Sequence, residues 1–241
     1  MKPVVFAGPS IYGMSSSLLA GVDIRPPARR GDLWRASLEG AQVIGLIDGC
    51  FETTLPTWHK EILGALKRGA IVVGAASMGA LRAAECQSFG MIGIGKIYQE
   101  YRHGMRTADS DVALEFGTAE IGYQPLGICL ADIEYFASNF TISGQMTLTD
   151  ARRIVDAARQ LHYKERTVER LEIAFNKLLK SDDVGKFMRF LQSTECQKSA
   201  DAKSLIKYVL TAPSLKQQCC DYSLNVSCFM AKMHSDTMYI R

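Results

Sequence analysis

Residues 70–85 read Ala70-Ile71-Val72-Val73-Gly74-Ala75-Ala76-Ser77-Met78-Gly79-Ala80-Leu81-Arg82-Ala83-Ala84-Glu85. A β-branched run stops at Gly74, small residues lead to Ser77, and an alanine-rich amphipathic stretch begins at once. β-branched side chains suit a strand and alanine suits a helix, so the segment predicts strand, sharp turn and helix, with a serine at the corner. Small-x-Ser-x-Gly at such a corner has the form of a nucleophile elbow. The Ser77 hydroxyl then stands above the sheet edge, and the Met78 and Gly79 N–H groups, opening a helix, face a developing oxyanion. A serine here is equally a favoured N-cap of an ordinary crossover, and Ala75 stands where the usual elbow carries glycine.

Outward from this segment, the pattern repeats. Residues 4–7 form a short apolar strand that ends in Gly8-Pro9-Ser10, and residues 42–47 form another, stopped by Asp48-Gly49. Residues 57–67 have helical spacing, with Trp58, Ile62, Leu63 and Leu66 on one face. Strands alternating with helices predict an α/β fold: a parallel-sheet core of βαβ units with helices on both faces, plus a C-terminal α-helical region. In such a sheet the strand ends line one edge where ligands bind, which brings residues 8–10, 48–52 and 75–77 to one crevice.

Residues 90–135 are harder to read. The stretch Gly90 to Gly95 is glycine-rich and follows no strong strand, residues 97–105 have helical character, and residues 126–136 fit a strand or a buried helix. From about residue 146 four amphipathic helices follow, near 149–161, 165–180, 184–191 and 202–210. Residues 1–140 therefore form the α/β core and 141–241 the helical region; the end from Ala212 lacks periodicity.

The chain has 241 residues, 22% of them charged, with a formal charge of +3. That charge is too small and too evenly spread for nucleic acid. The cluster from Arg25 to Arg30, broken by Pro26 and Pro27, reads as a solvated loop or a patch for an acidic partner. The apolar run at the N-terminus is too short for a signal peptide, and no segment approaches the roughly 18 apolar residues of a membrane span. A cytoplasmic protein with no membrane partner is expected. The seven cysteines contain no CxxC, and none of His59, His103, His162 and His234 has zinc-ligand spacing, so free thiols and no metal or cofactor are expected. Cys50, after Asp48-Gly49, stands out only by its place at a strand end. No phosphate-cradling glycine loop with its lysine is present, which argues against nucleotide binding.

A nucleophilic serine needs a base. His59 and Lys60, in the first turn of the helix before the elbow strand, and Asp48 are the candidates near the crevice. Helical geometry turns His59 inward slightly more than Lys60, whereas a helix N-terminus and burial both favour the neutral amine of Lys60. A core histidine and a surface lysine account for the same residues.

The chain resembles the TfuA-like family across roughly residues 3–135. The resemblance is carried by Val5-Phe6-Ala7-Gly8-Pro9-Ser10, Pro26-Pro27-Ala28 with Gly31-Asp32, Gly45-Leu46-Ile47-Asp48-Gly49, Trp58-His59-Lys60-Glu61-Ile62-Leu63, residues 74–85 and Phe89-Gly90-Met91-Ile92-Gly93. It implies an accessory protein of YcaO-dependent peptide thioamidation. Such a protein hydrolyses the C-terminal thiocarboxylate of a small ubiquitin-like sulfur carrier of the ThiS type, releases sulfide, and helps YcaO engage its precursor peptide. The family's Ser–Lys pair falls by motif on Ser77 and Lys60. Gly8, Ser10, Asp48, His59 and Arg82 are expected to shape the substrate site. Two other readings remain, a non-catalytic adaptor that docks YcaO with peptide or carrier, and a generic small-molecule serine hydrolase. Cys50 and the cysteines from Cys219 onward match no pattern of the family.

Overall fold

The computed structural model describes residues 2–51, 55–211 and 222–224. Five strands, β1 (Val4–Phe6), β2 (Asp23–Arg25), β3 (Val43–Leu46), β4 (Ile71–Ala75) and β5 (Ile92–Ile94), form one sheet in the order β2-β1-β3-β4-β5. Every pairing is parallel. Helices α1 (Ser16–Leu19), α2 (Asp32–Leu38), α3 (His59–Lys67) and α4 (Met78–Cys86) connect the strands in turn. β1, β3 and β4 are buried along their whole length. Covered on both faces, they read as unbroken apolar runs, which is why the sequence announced them.

Alternation sorts their side chains onto two faces. Val4, Phe6, Ile44, Leu46 and Val72 share a core with residues of α2, α3 and α4. Val5, Val43, Ile47, Ile71 and Val73 belong to a second core on the other face. The chain leaves β1 for β2 on one side and then crosses to β3 on the other. Right-handed crossovers therefore put α1 on one face and α2, α3 and α4 on the opposite one. α1 has only four residues, so the face of β3, β4 and β5 beyond it needs cover from elsewhere.

That cover comes from the far end of the chain. After α5 (Lys96–Arg102), the helices α6 (Leu130–Ile142), α7 (Leu148–Gln160), α8 (Val168–Asn176) and α9 (Ser181–Ser193) build a core of their own around Phe140, Ile154, Phe175 and Phe187. α10 (Gln197–Thr211) then returns and lays Ala202, Leu205, Ile206 and Val209 on the second face of the sheet. Leu205 and Ile206 are fully buried there, each contributing about 1.5–3 kcal/mol. Residue 141, where the helical region was expected to begin, lies within α6, whose Leu130, Ile133 and Phe136 already belong to the helical core.

Two elements correct the sequence reading. Arg25 is not in a solvated loop. It ends β2, where it pairs with Asp23 at 3.0 Å and Glu39 at 2.8 Å. The glycine-rich stretch from Gly90 contains the edge strand β5, and Gly93 packs against the Tyr98 ring, where a Cβ would collide. Residues 126–136 resolve in favour of helix, from Leu130 onward. The cysteine-rich end, Cys219, Cys220 and Cys228, lies outside the described residues. No helix among the described residues is long and apolar enough to cross a membrane.

Candidate active site

β4 ends at Ala75, and the chain turns at Ala76 with φ +67°. A non-glycine residue in this left-handed region costs on the order of 1 kcal/mol, and such strain gathers at functional corners. The Ser77 N–H donates to the Ala75 carbonyl across the turn at 2.8 Å. Ser77 is the N-cap residue of α4, yet its side chain makes no capping hydrogen bond. Its hydroxyl donates instead to the Val112 carbonyl at 3.3 Å.

The glycines of the motif serve packing. A Cβ on Gly79 would collide with the Leu46 carbonyl, and one on Gly74 with the Gly79 carbonyl, so the pair lets α4 descend onto β3 and β4. The Gly79 N–H donates to the Ile47 carbonyl at 3.1 Å. It is therefore committed to the sheet and is not open to an oxyanion, which corrects half of the expected donor pair. The Met78 N–H, in the first turn of α4, has no acceptor among the described residues.

The sheet order reverses between β1 and β3, and Gly8, Ser10 and Asp48 meet there. The Gly8 and Ser10 N–H groups both donate to one Asp48 carboxylate oxygen at 2.9 Å, and the Ser10 hydroxyl donates to the other at 2.7 Å. A nest of N–H groups at such a switch point is where many α/β proteins hold a phosphate. Here the Asp48 carboxylate fills it.

A lysine that the sequence reading did not single out completes this centre. Lys198, in the first turn of α10, is buried and donates its ammonium to the Val112 carbonyl at 3.0 Å. Its Nζ lies 4.0 Å from Asp48 Oδ1. Burial works against its charge, but the negative groups around it, Asp48 and Asp132 among them, outweigh that, so the pKa stands above the ordinary lysine value. The Cys129 thiol is itself pushed up by burial, so it sits beside the ammonium as a neutral thiol. Ser77 and Lys198 thus converge on one oxygen. The signal was present: Lys198, Ala202, Leu205 and Val209 follow helical spacing along one stripe. Placing the helix start at residue 202 left the lysine outside the stripe it interrupts.

His59, Lys60 and Arg82 are not drawn into the Ser77–Asp48–Lys198 centre, although Arg82 shares a cavity lining with Met78. His59 Nε2 lies 2.8 Å from Glu85, and Arg82 contacts Glu85 at 2.6 Å while its Nε donates to the Thr57 carbonyl at 3.0 Å. Burial opposes charge on Glu85, but the hydrogen bonds from His59 and Arg82 hold its carboxyl below the usual range. At 1.5 Å per residue, Glu85 lies about 12 Å along α4 from Ser77. Lys60, next to His59, lies with its Nζ 5.6 Å from the Trp58 ring centroid, and no hydrogen bond joins it to Ser77 among the described residues. Of the expected substrate residues, Gly8, Ser10 and Asp48 are brought together, whereas His59 and Arg82 form a group of their own.

Two cavities open beside the elbow. The inner one, about 160 Å³, is lined by Met78, Ala113, Arg82, Asp109 and His162, and the outer one, about 390 Å³, by Cys50, Arg29 and residues 114–120. Phe51 and Tyr163 belong to both. The segment between the Asp109–Asp111 turn and Val112 is tied down from outside: Arg106 contacts Asp111 at 3.2 Å, and Arg166 donates to the Ser110 carbonyl at 2.9 Å. These anchors hold the Val112 carbonyl where Ser77 and Lys198 meet it. No three His, Cys, Asp or Glu side chains among the described residues converge as a metal site.

The sheet order, the strained corner and the buried Ser–Lys–Asp centre define an α/β protein with a polar site at its strand ends. Residues 48–167 match the family model of TfuA-like proteins, which places this part of the chain in the TfuA-like family and ties it to YcaO-dependent thioamidation. No curated protein matches the chain.

Proposed function

We propose that the protein supplies sulfide to a YcaO enzyme by hydrolysing the thiocarboxylated C-terminus of a ThiS-type carrier, with Ser77 as nucleophile and Lys198 as proton carrier. The observation that carries this reading is the shared carbonyl: the Ser77 hydroxyl and the Lys198 ammonium both donate to Val112. A substrate displacing that carbonyl meets a hydroxyl and a cation side by side.

The charge of the lysine suits this substrate. A thiocarboxylate is an anion, and its sulfur cannot leave as the dianion; it must take a proton before the carbon–sulfur bond breaks. The Lys198 ammonium donates that proton to sulfur, and the resulting neutral amine removes the proton of Ser77. Oγ bonds to the carbonyl carbon, hydrosulfide departs, and Lys198 ends as it began. The Met78 N–H then donates to the oxyanion of the tetrahedral intermediate. Water then attacks the ester, giving one proton to Lys198 while Lys198 returns one to Ser77 Oγ. Asp48 holds the counter-charge that keeps the buried ammonium in place.

The family's motif points to Lys60 in place of Lys198, and one experiment separates them. Thiocarboxylated carrier is incubated with the protein alone and sulfide is measured. Ser77→Ala and Lys198→Met are expected to abolish release, and Lys60→Met to retain it. Loss with Lys60→Met and not with Lys198→Met restores the motif's pair. A chain that releases no sulfide yet binds YcaO is an adaptor, a reading favoured by the burial of Ser77 and by the commitment of the Gly79 N–H.

A further inference from the structure

One wall of the cleft consists of extended chain with unused backbone. Residues 113–118 run without regular structure between two short turns, apart from a single antiparallel bridge from Phe116 to Pro125. Around that bridge the Gly117 N–H donates to Gln124 and the Leu126 N–H donates to Glu115, each at 2.8 Å. In antiparallel pairing every second residue sends its N–H and C=O to the opposite edge. Here those residues are Leu114 and Phe116, and none of their four backbone groups has a hydrogen-bond partner among the described residues. Leu114 is buried and Phe116 half-buried, and unpaired backbone at such places is rare in folded proteins.

The outer cavity runs along this same stretch. Leu114, Phe116, Cys50 and Phe51 all line it, and Phe51 and Tyr163 line the inner cavity as well. The inner cavity ends against Met78 and Ala113, the chain neighbours of Ser77 and Val112. We infer that the cleft binds the C-terminal tail of a carrier protein as an added β-strand along Leu114–Phe116, its last acyl group directed at Ser77. The direction of the tail rests on the function proposed above; the strand addition rests on the unpaired edge.

The occupant follows from shape and chemistry. A helix about 10 Å across does not enter an inner cavity of about 160 Å³. A single extended chain fits beside an edge at the usual strand spacing of about 4.8 Å. Main-chain hydrogen bonds then supply affinity without regard to sequence, and the narrow inner cavity selects small terminal residues.

The test leaves the protein intact. A short fluorescein-labelled peptide copying the carrier's C-terminus, with an ordinary carboxylate end, is titrated with the full chain and followed by anisotropy. Each peptide amide is then N-methylated in turn. Strand addition predicts an alternating pattern, with methylation weakening binding roughly tenfold at every second position and leaving the positions between nearly unchanged. A uniform loss, a flat profile or no binding of the unmodified peptide overturns the inference. Alternation without sulfide release from thiocarboxylated carrier refutes the proposed hydrolysis and leaves the strand site standing. Sulfide release without alternation does the reverse.

Discussion

The Asp132 carboxylate accepts the main-chain N–H of Lys198 at 3.0 Å. Its second oxygen accepts from the Cys129 thiol at 3.3 Å. Asp132 thus caps α10 from the first turn of α6 and fixes where the Lys198 side chain starts. A few residues on, Asp201 of α10 accepts the N–H groups of Lys96 and Ile97 and so caps α5. The lysine is aimed by helices that cap one another.

Asp132→Ala is therefore expected to lower the rate of sulfide release more than it lowers stability. Loss of the cap costs about 1 kcal/mol by urea unfolding. Displacement of the ammonium from Val112 reduces the rate about tenfold or more, with little change in KM. An unchanged rate shows that Lys198 is held by its own packing.

The pH profile carries a second prediction. Lys198 acts from its protonated form, so activity falls as pH rises through its folded pKa, above the ordinary lysine value of about 10.4. Asp48→Asn removes a negative neighbour and moves that alkaline limb to lower pH. Sulfide release measured across the alkaline range reads the shift. A limb that stays in place removes Asp48 from the charge balance.

Gly79→Ala tests the packing role of the motif glycine. Its new methyl group meets the backbone Leu46 carbonyl, which has no rotamer by which to yield. The expected cost is about 3 kcal/mol, and a fall in Tm of several degrees in calorimetry checks it. A variant as stable as the parent refutes the packing role.

Glu61 provides a pH test of stability away from the site. It is fully buried, its pKa pushed up to about 7 by burial, although it accepts N–H bonds from Trp58, Gly31 and Leu33. Because the folded pKa lies above the unfolded one, its contribution is complete below about pH 4 and is lost as pH rises through about 7. The swing is on the order of 3 kcal/mol. Glu61→Gln removes the charge and keeps one of the two acceptor oxygens, so urea unfolding should show a flatter pH dependence.

Much of this was written in the chain. Val4, Val5, Ile44, Val72 and Val73 announced buried parallel strands, because strands covered on both faces need no polar alternation. Ser77 announced a corner, because small residues between a β-branched run and an alanine-rich helix leave no other geometry. β2 and β5 stayed hidden: with three residues each, at the sheet edges, they carry too little pattern to register, and Asp23 and Arg25 gave β2 a polar look.

The sequence by itself determined the local elements and the identity of the nucleophile candidate, since propensity, periodicity and turn chemistry act between near neighbours. Only the tertiary structure decided which amine stands beside it. The sheet order left one face bare, α10 returned to cover it, and Lys198 arrived at Val112 with that helix. Lys60 is much nearer to Ser77 along the chain, but a crossover helix starts where its connecting loop allows. Contacts between distant segments are set by which surfaces must be buried, and no local reading of residues contains that.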